Sequence, residues 1–277
     1  FTVRTLADVD RMAPAFRPGA RALIVGGGYI GLEAAAVAAK LGLEVTLIEA
    51  APRILQRVAA AETADYFRRL HQAHGVRVLE GTGLARLAGA GKVASAVLAD
   101  GTELPADLVI VGIGILPDTD LAEAAGIALE NGIRADEFGR TSAPHVWAAG
   151  DCASFPHGDI RIRLESVGNA IDMAETVAAN MLGAAAPYHA KPWFWSDQYD
   201  VKLQIAGLNT GYDRIVTRPG DGGALSVWYY RGATLLALDA MNDARAYMIG
   251  KRLIEAGRSP DPALIANPAT DLKALLK

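Results

Sequence analysis

The fold is decided by residues 21–49, which read RALIVGGGYIGLEAAAVAAKLGLEVTLIE. A short apolar run leads into three glycines, an alanine-rich segment and a second apolar run that ends on an acid. This order predicts a strand, a tight glycine turn, a helix and a second parallel strand, as a dinucleotide-binding site requires. A glycine turn alone also occurs in plain strand-to-helix connections, so the prediction depends on both strands and the acid being in register.

The glycines have separate roles in such a turn. Gly26 permits the tight bend, and Gly28 lets a pyrophosphate approach the backbone. Gly31 lets the helix pack closely against the strand, and Tyr29 and Ile30 open that helix. Its first amide groups and its dipole then face the phosphates. We therefore predict a dinucleotide site at 26–31.

Glu49 ends the second strand, where an acid can accept hydrogen bonds from both hydroxyls of the adenosine ribose. The same carboxylate would repel a 2′-phosphate, which favours NAD(H) over NADP(H). Arg53 tempers this preference, since a nearby arginine is what a 2′-phosphate would bind.

The composition of the 277 residues is that of an ordinary globular protein of about two domains, with 51% hydrophobic and 21% charged residues. A net charge of −4 and the lack of an arginine-lysine cluster argue against nucleic acid as a partner. The longest apolar run, 108–116, is too short to span a bilayer, so no membrane association is expected. Without a visible secretory signal, and with one cysteine, the expected location is cytoplasmic.

An α/β arrangement continues to residue 116. A helix is predicted near 60–74, followed by short strands at 76–79, 83–87 and 93–99 and a buried strand at 108–112. Gly112 and Gly114 end that strand at the edge where ligands lie in such sheets, although both could be mere turn residues.

The remaining chain changes character twice. In 117–188 we predict a strand at 146–149 that leads to Gly150-Asp151, and a helix over 169–181. From Lys191 the pattern is rich in aromatic and β-branched residues. Strands are expected near 201–206, 212–217, 224–230 and 233–239, with helices near 243–256 and 270–276.

Three motifs in this order point to a family. They are GGGYIGLE at 26–33, the segment 141–152 that ends in AAGDC, and PWFWSDQY at 192–199. With them, the chain resembles the flavin-dependent ferredoxin reductases of oxygenase systems, the putidaredoxin and rhodocoxin reductase family. The last motif is the most specific, because the glycine turn is shared with far larger groups.

The resemblance implies a glutathione-reductase-like α/β fold with an NAD domain at 1–116, a returning part of an FAD domain at 117–188 and a C-terminal α+β domain at 189–277. Such reductases carry a further N-terminal FAD segment that has no counterpart in this sequence, which opens on Phe1. We therefore expect a fragment or a truncated chain.

The resemblance also implies roles for single residues. Asp151 would hydrogen-bond the ribityl-pyrophosphate part of FAD, Val167 would touch the flavin ring, and Arg4 would reach FAD. Tyr29, Ile30 and Glu33 would lie at the nicotinamide end of the NAD site. Tyr29 would be an aromatic gate over the flavin or a residue that simply packs on the sheet. Glu33 would accept from the carboxamide or be a solvated carboxylate paired with a neighbouring segment.

The tryptophans, the cysteine and the histidines remain. Trp195 would stack near the flavin or lie under the iron–sulfur partner, unless it and Trp193 are only anchors between domains. Cys152 has no second cysteine for dithiol chemistry. The five histidines show no metal-ligand spacing, so no metal site is predicted, and His71 and His74 are expected on a solvated helix face.

The predicted function is electron transfer from NADH through FAD to a [2Fe–2S] ferredoxin of an oxygenase system. No protein group is assigned as a general base, because the cofactor carries the chemistry. Two alternatives stay open: an NADH oxidase or nitrite-reductase-like flavoenzyme, and a truncated, non-catalytic NAD-binding module.

Overall fold

A computed structural model describes all of residues 1–277. The first region is a four-stranded parallel sheet with helices and an inserted antiparallel sheet. Its elements are α1 Leu6–Met12, β1 Arg21–Val25, α2 Tyr29–Lys40, β2 Glu44–Ile48, α3 Ala61–Ala73, β3 Arg77–Leu79, β4 Leu84–Ala88, β5 Ser95–Leu98, β6 Glu103–Pro105 and β7 Leu108–Val111. The parallel order is β3-β2-β1-β7, and β4, β5 and β6 form the antiparallel sheet.

The register of the parallel strands brings three carboxyl ends to one edge. Val25 of β1 pairs with Ile48 of β2 and with Val111 of β7. The glycine turn after β1, the acid after β2 and the glycines after β7 therefore meet there, as expected of a ligand-binding sheet edge. Phe1 lies beside β7: its terminal amino group donates to the Val109 carbonyl, and its own carbonyl accepts from the N–H group of Val111.

The middle region contains short elements around one longer helix. They are α4 Asp120–Ala124, β8 Ile133–Arg134, β9 Ala153–His157, β10 Ile160–Ile162 and α5 Val167–Met181. The strand predicted at 146–149 is wrong. Only an isolated bridge joins Trp147 to Arg140, and the chain then turns at Gly150, with a φ of 77°, into a short 3₁₀ helix.

The C-terminal region is a five-stranded antiparallel sheet with helices on one face. Its elements are β11 Trp193–Gln198, β12 Val201–Gly207, β13 Arg214–Pro219, β14 Leu225–Arg231, β15 Thr234–Met241, α6 Ala244–Glu255 and α7 Pro262–Ala266. The order is β11-β12-β15-β14-β13. The strands expected near 201–239 are confirmed, whereas the helix expected at 270–276 is a 3₁₀ turn, Leu272–Leu276.

The two faces of this sheet bury different residues. Side chains alternate along β14, so Trp228 and Tyr230 pack under α6, while Val227 and Tyr229 join the core of the parallel-sheet region. The C-terminal sheet thus shares a continuous apolar core with the first region. This shared core fixes the position of the C-terminal sheet, including β11, relative to the glycine turn.

A buried polar cluster interrupts that shared core. The Asp239 carboxyl accepts hydrogen bonds from the hydroxyls of Tyr229 and Thr63, the latter at 2.7 Å, and its second oxygen has no partner in the protein. The Tyr229 hydroxyl also accepts from the N–H group of Ala60 at 3.0 Å. Burial raises the pKa of Asp239 to about 6, since the charged form loses its hydration.

Candidate functional site

The glycine turn has the shape that the sequence predicted. Gly26 has a φ of 106°, and a Cβ added to Gly31 would lie 2.0 Å from the carbonyl oxygen of Gly26. Only glycine allows helix α2 to start so close to β1. A Cβ on Gly28 would meet no atom within 4 Å, so the backbone there is open to a ligand. An open backbone at the N-terminus of a 12-residue helix fits a pyrophosphate.

The Glu49 carboxylate lies directly beside this turn. One oxygen accepts from the N–H group of Gly27 and the other from that of Ala51, both at 2.7 Å. An ionised carboxylate has about four acceptor sites, so each oxygen retains capacity for a ribose hydroxyl. Glu49 therefore both braces the turn and presents an acceptor at the end of β2.

Arg53 is directed away from the role that its sequence position suggested. Its guanidinium donates to the backbone carbonyls of Ala59, Ile54, Ala60 and Gln56, the closest at 2.8 Å from the Ala59 oxygen. These bonds engage both terminal nitrogens of the guanidinium within the loop after β2. The arginine that would have favoured a 2′-phosphate is committed to structure.

The glycines after β7 pack against the turn. A Cβ on Gly26 would lie 2.3 Å from the Gly112 carbonyl oxygen, and the N–H group of Gly112 donates to Val25 at 2.8 Å. Gly114 has a φ of 118°, which favours glycine.

Arg57, a residue that the sequence did not single out, donates to the Ile113 carbonyl at 3.4 Å. Its exposed guanidinium brings a cation to this edge, but its loop carries no pattern that would have flagged it.

Tyr29 is turned toward the C-terminal sheet. Its ring lies 4.9 Å from that of Phe194, and its hydroxyl is buried without a hydrogen-bond partner. Burial, with the Asp239 carboxyl and Tyr229 nearby, raises its pKa well above the usual value. This geometry favours the packing role over the aromatic gate. Ile30, the next residue, is 46% exposed and so remains available to a ligand.

Glu33 pairs with a neighbouring segment, one of the two possibilities left open. The Ser196 hydroxyl on β11 donates to Glu33 Oε1 at 2.6 Å. Ser196 also accepts from Gln198 Nε2 at 3.1 Å, and Gln198 Oε1 lies 2.8 Å from Nε2 of His71. His71 is fully buried, so the solvated helix face expected for it is wrong. Its pKa is lowered, because burial disfavours the imidazolium.

Of the residues that the resemblance implied for FAD, two are brought together. Val167 is the first residue of α5, and a Cβ on the next residue, Gly168, would lie 2.4 Å from Trp193 Nε1. Trp193 and Trp195 stack with ring centroids 5.4 Å apart. Trp193 therefore lies against the positive end of a 15-residue helix, with Trp195 stacked on it.

Asp151 and Arg4 are less defined by their contacts. Asp151 lies in the 3₁₀ helix Gly150–Cys152 with an exposed side chain, and its carbonyl accepts from Arg163 at 3.1 Å. Arg4 is exposed, and only its backbone N–H group makes a hydrogen bond, to Asp8. The structure thus leaves the FAD roles of both residues as predictions.

Comparison with known proteins decides the family. Residues 1–174 match the model for the pyridine nucleotide-disulphide oxidoreductases, and residues 193–276 match that for the reductase C-terminal domain. The chain is 48% identical to a ferredoxin–NAD(P)+ reductase from Sphingomonas sp. over 98% of its length and 67% of that protein's. It is 39% identical to putidaredoxin reductase from Pseudomonas putida over 99% of its length and 66% of that protein's.

The chain belongs to the FAD-dependent ferredoxin reductases. A crystal structure of a ferredoxin reductase from Rhodopseudomonas palustris superposes with a TM-score of 0.96 at 38% identity, covering 100% of this chain and 70% of that one. The reductase in a covalent putidaredoxin reductase–putidaredoxin complex superposes at 0.94 and 38% identity, covering 99% and 67%. The predicted family and fold class are confirmed. Members of this family are oxidoreductases that use FAD and NAD(P)H, and relatives of this kind support a ferredoxin partner.

This ferredoxin reductase spans about two thirds of the length of the relatives that it matches. None of its helices combines the length and apolar character needed to cross a membrane. No group of three or more His, Cys, Asp or Glu side chains is arranged to hold a metal ion. Cys152 is the single thiol, and burial raises its pKa, so dithiol chemistry finds no support in these residues.

Proposed function

We propose that this chain holds NADH, in preference to NADPH, at the edge formed by Gly26, Gly28 and Gly31. The observation that carries the proposal is the Glu49 carboxylate beside the open glycine turn, with Arg53 bound to backbone carbonyls. A fixed carboxylate accepts from ribose hydroxyls and repels a 2′-phosphate. Gly112, Gly114 and Ile30 border the same edge, and Arg57 adds a positive charge suited to a pyrophosphate.

The test of this site is Glu49→Ala. We expect NADH affinity to fall about tenfold or more, because hydrogen bonds to a charged acceptor contribute about 1.5–3 kcal/mol each. NADPH affinity should stay constant or rise as the repulsion is removed. Titrations of both nucleotides give the ratio, with Glu44→Ala, an exposed acid at the other end of β2, as the matched control. Unchanged NADH affinity would contradict the ribose assignment.

The residues proposed for the flavin side are Val167, Asp151, Arg4 and Trp195. The N-terminus of α5, where Val167 lies, fits the group in charge. The Ser166 hydroxyl caps this helix by accepting from the N–H group of Asn169, and the positive end of the helix would stabilise negative charge on a reduced ring. When bound, FAD supplies hydride acceptance from NADH and single-electron transfer to the ferredoxin. The protein supplies orientation and charge, and no residue is assigned as a general base.

The domain boundaries at 116 and 188 are part of the proposal. They separate the parallel-sheet region after β7 from the region of α5, and the latter from β11. A [2Fe–2S] ferredoxin of an oxygenase system is the proposed electron acceptor, and a cytoplasmic location stays a prediction.

We expect the 277-residue chain by itself to bind FAD weakly or not at all. Its one glycine fingerprint lies at the NAD site, and the proposed flavin residue Val167 is 55% exposed. The measurement is flavin absorbance of the chain after incubation with FAD and desalting, with NADH binding as the control for a folded protein. A yellow, stoichiometric complex that NADH bleaches would contradict the expectation.

The same measurement separates the reductase from a non-catalytic module. A colourless protein that still binds NADH is the behaviour of an NAD-binding module that needs a further flavin-binding segment. A protein that holds FAD and is reduced by NADH acts as a reductase by itself.

A further inference from the structure

A row of hydrogen-bonded side chains joins helices α2 and α3 of the first region to β11 of the C-terminal sheet. It runs from Tyr199 and His71 through Gln198 and Ser196 to Glu33. His71 and Gln198 are 0% exposed and Ser196 is 1% exposed. Three elements, α3, β11 and α2, contribute to it. Buried polar rows of this kind are favourable only when every member is satisfied.

The donor and acceptor of each bond can be assigned by starting from the Glu33 carboxylate at one end of the row. Ionised Glu33 can only accept, so the Ser196 hydroxyl donates to it. Ser196 then accepts from the Gln198 amide nitrogen, which turns the amide oxygen toward His71. That oxygen needs a donor, so neutral His71 carries its proton on Nε2. Nδ1 is left to accept from the Tyr199 hydroxyl at 3.3 Å.

The row leaves one atom of Glu33 uncommitted. Oε1 accepts from Ser196, whereas Oε2 accepts no hydrogen bond within the protein. Glu33 lies five positions after Gly28, about 7.5 Å along the helix axis at 1.5 Å per residue. Glu33 faces β11, the strand whose Trp193 packs against the start of α5. A dinucleotide whose adenosine ribose binds Glu49 would extend its nicotinamide half from the glycine turn toward Glu33 and β11.

We propose that Ser196, Gln198 and His71 are positioning residues that orient Glu33, so that its free oxygen accepts from the carboxamide NH₂ of the nicotinamide. The inference rests on the proposed NAD site and adds residues of the C-terminal sheet to nicotinamide recognition. Apolar side chains could fill this interface, and they would leave no polar groups to satisfy. The hydrogen-bonded row instead ends on a carboxylate that can still accept a hydrogen bond, which favours a role in binding over packing alone.

The experiment compares NADH with ADP-ribose, which has the same adenosine and pyrophosphate but no nicotinamide. Dissociation constants of both are measured by calorimetry for the full chain and for Ser196→Ala. We expect NADH to bind about tenfold more weakly, the size expected for one charged hydrogen bond, with ADP-ribose unchanged. Ser196→Thr keeps a hydroxyl and should restore NADH binding.

Two controls sharpen this result. Ser226→Ala removes another buried serine hydroxyl of the same sheet, one that accepts from Trp228 Nε1 at 3.0 Å, and should change neither constant. Glu33→Gln combined with Ser196→Ala should lose no more NADH affinity than Glu33→Gln alone, since Ser196 acts through Glu33.

The outcomes distinguish this inference from the site on which it rests. Equal losses for NADH and ADP-ribose, or unchanged NADH binding, would overturn the positioning role. If Ser196→Ala does not fold, the same comparison of NADH with ADP-ribose is made with Gln198→Met. That variant leaves Ser196 and Glu33 in place. Failure of the unmodified chain to bind ADP-ribose would instead overturn the proposed NAD site.

Discussion

Replacing Gly31 with alanine is expected to lower NADH affinity at least about a hundredfold and to reduce the free energy of unfolding by about 3 kcal/mol. The new Cβ would lie 2.0 Å from the Gly26 carbonyl oxygen and 3.1 Å from its carbon. Both are backbone atoms, so no side-chain rotation relieves the overlap. The helix must move away from β1, and its amide groups leave the position that faces the pyrophosphate.

Gly28→Ala is the matched control. Its Cβ would meet no protein atom within 4 Å, and its φ of −80° suits any residue, so stability should be unchanged. NADH affinity should still fall, because the methyl group occupies the space through which the pyrophosphate approaches. Urea unfolding and NADH titration of both variants give the comparison. Wild-type stability and affinity for Gly31→Ala would refute the close-packing role.

Asp239 is expected to make the free energy of unfolding fall as the pH rises from about 4 to about 6. Burial raises the folded-state pKa of Asp239 from 3.8 to about 6. The folded state therefore binds more protons than the unfolded state between these values, and the free energy of unfolding falls with rising pH. A shift of this size corresponds to about 3 kcal/mol, at 1.36 kcal/mol per pKa unit.

Asp239→Asn isolates this contribution. The amide oxygen can accept from Tyr229 and Thr63 as the carboxyl does, and no charge has to be buried. The difference in unfolding free energy between the variant and the unmodified chain should move in favour of the variant by about 3 kcal/mol between pH 4 and pH 7. Asp197→Asn, at an exposed carboxyl of the same sheet, should show no such change. A pH-independent difference for Asp239→Asn would contradict the raised pKa.

Local patterns were sufficient where the chemistry lies within a few residues of the chain. Gly26, Gly28 and Gly31 stand in one turn, and Glu49 follows the next strand, so their spacing alone predicted the geometry that the structure shows. The motif at 192–199 was specific enough to indicate the family. The prediction of a strand at 146–149 was wrong, because a short apolar run does not show how many pairing partners it will have. In the structure this segment makes only one β-bridge, between Trp147 and Arg140.

Contacts between distant segments were beyond such patterns. The orientation of Tyr29 depends on Phe194, and the burial of His71 depends on Gln198, more than a hundred positions away in each case. Arg53 and Arg57 look alike in the sequence, yet one binds carbonyls of its own loop and the other reaches the carbonyl of Ile113.

The sequence by itself determined the parallel-sheet dinucleotide fold, the acid beside the glycine turn and the family, because each depends on steric and hydrogen-bonding demands expressed by adjacent residues. The tertiary structure alone decided which charges are committed, which side chains cross between the sheets and which oxygen of Glu33 stays free. The bond between Ser196 and Glu33, for example, forms only when β11 and α2 pack together, and such packing sets the desolvation and the donor partners of each polar atom.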